Sequence, residues 1–303
     1  MLRRIGTDVF HCYNWHTSPL IGAALAGVPV RLWSILSMSP YYEQDIEPQG
    51  IHRLMPSVRL SCALCRRVLP LSEAVRSELL QIGVARSKTE VIRVPVDVDA
   101  YANASIEGMR EALGFGKSDL LITTVGQASP VKGWDILIRA FAAVFSRFPQ
   151  AHLLLVGRMA APEAEFAAVL RGLVAKLGLG HEVHFIGERG DIARILKASD
   201  VFAFPSRSEG QGLALTEAMA ARLPCVASAV GGIPELITHG RNGILFPRED
   251  VDQLARHLTD LLSNRSLRDR LGGQAQQEST RFGMARYVDD IVNLYGTLSD
   301  VAR

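Results

Sequence analysis

Residues 205–235, PSRSEGQGLALTEAMAARLPCVASAVGGIPE, constrain the fold of this 303-residue chain more than any other stretch. A short apolar run over 201–204 leads into a glycine-containing loop. A helix-compatible segment over 213–222 follows, and then a second short apolar run over 224–227. Strand, loop, helix, strand is a βαβ unit, whose two strands lie parallel in one sheet. Two carboxylates, Glu209 and Glu217, stand with seven residues between them, and Gly210 and Gly212 follow the first. In such a unit the loop and the helix N-terminus can hold an anion, beside carboxylates able to accept from hydroxyls.

A ligand that carries both phosphate and hydroxyls, such as a nucleotide sugar, matches that combination. The rest of the chain repeats the alternation. The first part predicts strands over 8–13, 28–33, 67–71 and 91–94, with helices over 18–26, 51–65 and 72–82. A polar connection over 95–105 follows, so the domain boundary is expected near 100–106. The second part predicts strands over 120–125, 152–156, 183–186, 201–204, 224–227 and 244–246. Its helices are expected over 134–147, 163–177, 191–197, 213–222 and 250–262, with a helical tail over 267–303. Strands that alternate with helices make parallel sheets covered on both faces.

Composition narrows the class. With 48% hydrophobic and 21% charged residues the chain can bury full cores in one or two α/β domains. No run of about 18 apolar residues predicts a membrane span, and the start MLRRIGTDVFHCYN has no signal-peptide core. A net charge of +2 argues against a nucleic-acid partner. Four cysteines fit a reducing cytoplasm, and the pair Cys62 and Cys65 reads as core packing on a helix. Arg59, Arg66 and Arg67 are expected on one helix, as a solvated face or, alternatively, a peripheral contact at the inner membrane face.

The segment EGQGLALTEAMA resembles the E-G-x-G-x-x-x-x-E signature of the retaining glycosyltransferases of family 4, which have the GT-B fold. VGQASPVKGWDILIRAF (125–141) is similar to that family's glycine-rich strand, lysine loop and helix. VHFIGERGDIARILKASDVFAFPS (183–206) is similar to its base-binding region. Residues 71–101 and 8–34 resemble the end and the middle of its N-terminal domain. The resemblance implies two Rossmann-like doubly wound parallel-sheet domains, the N-terminal one incomplete. The expected division is 1–103, then 104–283, with 284–303 as a helix returning to the first domain. A complete first domain would open with three further strands, each in a unit of roughly 30 residues. A misplaced or truncated start is therefore expected. Otherwise the edge at 8–13 stays unpaired, and the chain is poorly soluble or dimerises.

The resemblance also assigns roles. Lys132 follows the strand over 120–125 at its C-terminal end, where open α/β sheets bind ligands. It is expected to meet phosphate oxygens together with the helix start at Gly212 and Leu213. Glu209 would accept from sugar hydroxyls and Glu217 from the ribose. Gly126, Gln127, Gly187, Arg189, Gly210 and Gln211 complete the donor set, with Lys132 and Glu209 as the catalytic pair. Two departures stand out: Gln127 replaces a common arginine, and Gln211 replaces a common aromatic residue. The strand over 28–33 is followed by Ser34 and Ser37 and lacks the histidine found in many relatives. His11 and His16 lie close in sequence, but each reads better as packed, and no general base is named. Gly231 and Gly232 lack the full G-x-G-x-x-G context and fit a turn and helix start rather than a dinucleotide site.

The implied activity is transfer of a hexose, with retention, from a nucleoside-diphosphate sugar to a glycan or lipid-linked acceptor in polysaccharide synthesis. No cofactor is expected, and no DxD metal motif stands out in the donor half, so metal independence is expected. The alternatives are a non-catalytic nucleotide-sugar-binding or interaction protein, and a nucleotide-sugar epimerase. The donor base and sugar stay open.

Overall fold

The computed structural model describes residues 6–13, 17–36 and 51–300. Contacts divide the chain into two units. The first takes the chain up to Pro95, Glu209–Gln211, and everything from Met284 onward; the second takes Val96–Ser208 and Gly212–Gly283.

The first unit is built on a parallel sheet of β1 (Val9–Cys12), β2 (Val30–Ile35) and β3 (Arg67–Pro70), in that order. The register pairs Val9 with Val30 and Leu32 with Arg67. Period-two alternation sends Trp33, Ile35 and Val68 to one face, against α1 (Ser18–Leu25), α2 (Ile51–Leu64) and α3 (Glu73–Gln81). Val30, Leu32 and Leu69 point the other way and meet Leu294 and Leu298 of α13 (Met284–Asp300). Ser72 starts α3 by accepting from the Val75 N–H at 3.2 Å, a side-chain cap for an otherwise orphan donor.

Three expectations for this unit are corrected. Residues 91–94 are not a strand: Glu90 and Ile92 donate to Val68 and Pro70, but Val94 gives both its backbone groups to the Gln211 side chain. The arginines do not share a helix, since Arg59 is in α2, Arg66 follows it and Arg67 opens β3. The helix expected to carry them, and Cys65 with Cys62, ends at Leu64; Cys65 follows it, its N–H closing on the Cys62 carbonyl. Cys62 and Cys65 are buried in the core, and burial pushes both thiols up to about 12.

The second unit has a six-stranded parallel sheet of β4 (Leu120–Val125), β5 (Ala151–Val156), β6 (Val183–Gly187), β7 (Val201–Phe204), β8 (Cys225–Ser228) and β9 (Ile244–Phe246). Its order is β6-β5-β4-β7-β8-β9. The chain starts in the middle and winds outward in both directions, so strand order reverses between β4 and β7. On one face Ile122, Leu153, Leu155, Ala203 and Val226 pack under α6 (Trp134–Phe145), α7 (Ala164–Leu177) and α11 (Val251–Ser263). On the other, Phe202, Phe204, Cys225 and Ala227 pack under α9 (Leu213–Ala220), α10 (Ile233–Leu236) and α12 (Arg265–Ser279). Beside them Leu121, Leu154 and Val156 meet α5 (Met109–Ala112) and α8 (Ile192–Ala198).

The division falls at Pro95, earlier than the polar composition of 95–105 suggests. The reason is α4 (Val98–Ala102), which docks on the second unit. Lys197 Nζ donates to the Ala102 carbonyl at 2.7 Å, and the Val96 N–H donates to Phe282 at 2.9 Å. The helical tail is two helices, because a short 3-10 turn at Thr280–Phe282 and extended Gly283 separate α12 from α13.

Candidate functional site

Strand order reverses between β4 and β7, the point at which open α/β sheets have their binding crevice at the C-terminal strand ends, and the loops there are in backbone contact. Gly133, which opens α6, has φ +64°, and a Cβ on it would lie 2.1 Å from the Pro205 carbonyl oxygen after β7. Only glycine fits that approach. On the other flank a Cβ at Gly157 would lie 1.6 Å from the Gly126 carbonyl oxygen. The loops after β5, β4 and β7 thus touch in series.

Lys132 occupies this row. Its methylene stem runs along Gly126, whose missing Cβ would sit 3.4 Å from Lys132 Cγ. Its ammonium stands 5.6 Å from the centre of the Phe204 ring, at the end of β7, within cation–π range. The same ring backs Gly212, since Phe204 Cε1 is 3.5 Å from where a Gly212 Cβ would be. Gly212 has φ +90° and is the N-cap of α9, with no side chain to satisfy the first helical N–H groups. Leu213, the first helical residue, is 40% exposed. A lysine ammonium and an uncapped helix start are therefore gathered around one aromatic ring, and both favour an anion.

Glu217 projects from the second turn of α9 and is bonded to the Tyr101 hydroxyl of α4. Burial raises the Glu217 carboxyl above the ordinary range, and the Tyr101 bond offsets part of that rise. The Tyr101 phenol is itself pushed up, first by burial and then by the facing carboxylate. A carboxylate held this way keeps lone pairs for further donors.

Gln127 follows Gly126, and pairing with the β5 strand continues past it, the Ala128 N–H donating to the Arg158 carbonyl at 2.8 Å. This sets the Arg158 guanidinium beside Gln127, with Nη2 donating to Oε1 at 3.3 Å. Arg158 is fixed by Glu163 through bonds of 2.8 and 2.6 Å. The neutral Gln127 therefore has a cation alongside, which its own residue type does not reveal. A Gly-Arg pair closing β5 is the one sequence signal for it.

Gly187 ends β6 with φ +83°. Arg189 is locked to Asp191 by two bonds of 2.8 Å. Glu209, Gly210 and Gln211 group with the first unit, while Gly126, Lys132, Gly212 and Glu217 belong to the second. Glu209 is half-buried and Gly210 buried. Gln211 is 3% exposed, accepting from the Val94 N–H at 2.8 Å and donating to its carbonyl at 2.9 Å. In place of ring packing, its amide acts as an artificial strand rung.

In the first unit His11 is held on both ring nitrogens, by Tyr295 at 2.6 Å and Ser34 at 2.8 Å. It stacks on Tyr13 at 4.2 Å, and burial lowers its pKa to about 4. It is a packed, neutral histidine at pH 7. His16 and Ser37 lie outside the described residues. Among the described residues, no three His, Cys, Asp or Glu side chains gather as a metal site. No described helix is long and apolar enough to cross a membrane.

Comparison with known proteins adds to this geometry. The family model described as glycosyl transferases group 1 matches residues 105–278. The chain is 31% identical to a D-inositol 3-phosphate glycosyltransferase of Actinosynnema mirum, over 72% of this chain and 54% of that protein. It is 27% identical to one of Kribbella flavida, over 97% of this chain and 72% of the relative. Among solved structures, HepE of Anabaena in complex with UDP-glucose superposes with a TM-score of 0.83 at 25% identity. That match covers 96% of this chain and 79% of HepE. Sucrose-phosphate synthase of Thermosynechococcus elongatus shares the fold, with a TM-score of 0.85 at 24% identity over 99% of this chain and 76% of the synthase. The chain spans only about half the length of the Actinosynnema relative.

Proposed function

The chain belongs to the glycosyl transferases group 1 family, and from that premise we propose that it is a retaining glycosyltransferase of the family 4 type. It moves a hexose from a nucleoside-diphosphate sugar to a glycan or lipid-linked acceptor. The observation that carries this reading is the Lys132 ammonium over Phe204, beside the open start of α9. That arrangement supplies positive charge where a diphosphate leaves.

In the proposed reaction the acceptor oxygen attacks the anomeric carbon on the face from which the phosphate departs. The anomeric C–O bond breaks and its electron pair goes to the phosphate oxygen. Lys132 and the α9 N–H groups stabilise that charge, and the same phosphate oxygen takes the acceptor proton. Glu217, steadied by Tyr101, accepts from the ribose hydroxyls. Glu209 is assigned to the sugar hydroxyls, and Gly126, Gln127, Gly187 and Arg189 to the nucleotide. The scheme draws its cation from the chain itself and is read as metal-independent. We infer a cytoplasmic site of action, where nucleotide sugars are made, with peripheral contact at the inner membrane face as the alternative.

The test is transfer from labelled UDP- and GDP-sugars by the wild type and by Lys132→Ala. A loss of roughly 10²–10³-fold in kcat is expected for a charge acting on the leaving group. Turnover unchanged in the variant refutes the role of Lys132. Nucleotide binding without transfer to any acceptor favours the binding-protein alternative.

A further inference from the structure

Arg207, two residues before Glu209, is absent from every assignment above, yet it has the densest set of bonds near the crevice. Its backbone N–H donates to the Val131 carbonyl at 2.7 Å. Nη1 donates to the Pro130 carbonyl at 2.6 Å and to Asp135 at 2.9 Å. Nη2 donates to Asp135 at 2.8 Å and to Glu249 at 3.2 Å. Nε donates to Glu249 at 2.5 Å. All five guanidinium N–H groups are used, so none is left for a ligand, and the side chain is only 14% exposed.

The targets of these bonds matter. Pro130, Val131 and Asp135 bracket Lys132 on both sides. The Pro130–Lys132 segment is a single 3-10 turn whose own bonds are few: the Lys132 N–H to Ser129 at 3.0 Å and the Gly133 N–H to Pro130 at 3.2 Å. So short a turn does not fix its own position, and external bonds must do so. Glu249, the other anchor, holds φ at +67°, a backbone state that costs energy for a residue with a Cβ. The Arg207 fork ties this residue to the start of α6 and to the loop after β7. A lysine could not replace it, since one ammonium cannot satisfy two carboxylates and a carbonyl in a plane.

We propose that Arg207 is a positioning residue that fixes the Lys132 turn against the end of β7, and so sets where the ammonium meets the donor phosphates. The phosphate role of Lys132 rests on the reading above; the clamp itself does not. Arg207 is not a catalytic residue, since it acts through Lys132.

The experiment compares wild type, Arg207→Lys, Lys132→Ala and the double variant, with Asp135→Asn as a milder cut of the same clamp. Two measurements are made: amide hydrogen exchange over residues 129–136, and the affinity for UDP and GDP by calorimetry. Arg207→Lys should keep the overall fold while exchange at residues 132 and 133 accelerates. It should weaken nucleotide binding roughly tenfold, an effect that nearly vanishes when Lys132 is already alanine, as coupled neighbours require. In a transfer assay kcat should fall more than KM rises, because a displaced ammonium loses transition-state contact first. Protection at 132 and 133 unchanged in Arg207→Lys and Asp135→Asn overturns the clamp. Fully additive affinity losses overturn action through Lys132. If the wild type binds neither nucleotide, the donor reading fails, while the exchange data still decide the clamp. Should Arg207→Lys not fold, exchange in Asp135→Asn carries the same decision.

Discussion

Gly133→Ala offers the most direct test of how the crevice is built. Two separate costs follow from the geometry. The first is the backbone: φ of +64° puts an L-residue in the left-handed region, at about 1–2 kcal/mol. The second is the overlap, since the new methyl would lie 2.1 Å from the Pro205 oxygen and 3.0 Å from its carbonyl carbon. The loops must part by about an ångström, and such overpacking adds about 1–3 kcal/mol. The total, about 2–5 kcal/mol, amounts to a drop of roughly 4–20 °C in Tm for a unit of this size. Gly212→Ala is the matched control. It has φ of +90° but no atom nearer than 3.5 Å to the added methyl, so only the first cost applies, about 1–2 kcal/mol. Urea denaturation of both variants measures the difference, and UDP affinity reports whether Lys132 has moved. If Gly133→Ala is no less stable than Gly212→Ala, the β4 and β7 loops do not touch as described, and the crevice is not held by this contact.

Glu217→Gln should separate stability from binding. Burial raises the Glu217 carboxyl in the folded state, so stability is lost as pH rises through that raised value, where the folded protein must carry a buried charge. The neutral variant should therefore be the more stable above neutral pH, with the gap closing in acid, while nucleotide affinity falls; a destabilised variant at pH 8 refutes this. Tyr101→Phe removes the bond that favours the carboxylate, so the acid limb of nucleotide binding should move to higher pH, and an unmoved limb argues against the contact. Gln211→Leu leaves the N–H and carbonyl of Val94 without their partner, at about 1–3 kcal/mol for the buried share. An unchanged denaturation midpoint would show that solvent replaces both bonds.

Strands of the second unit were legible to the residue at β4, β7 and β9. Their runs are largely apolar because both sheet faces are covered, and Gly126, Pro205 and Pro247 end them sharply. The same logic misreads 91–94, where apolar composition is right but Val94 is diverted by a side chain 117 residues away. It also joins Arg66 and Arg67 to a helix, because a helical period does not show that the next strand has begun. The lysine loop could be located within the β4–α6–β5 unit, and the glycine at the α9 cap and Glu217 within the β7–α9–β8 unit, while their roles come from the family resemblance. Arg158, Tyr101 and Arg207 could not be located in this way. Arg158 reaches Gln127 across 31 positions and Arg207 reaches Asp135 across 72, and no local pattern connects them.

The order of residues by itself determines that the chain forms parallel α/β sheets and where glycine lets loops turn at strand ends. Those outcomes depend on periodicity and backbone freedom within a few residues. The tertiary structure alone decides which charges face one another: Arg158 beside a neutral Gln127, Tyr101 on Glu217, and Arg207 across two loops. Such pairings depend on which strand ends become neighbours once the sheet has assembled, and that adjacency exists only in space.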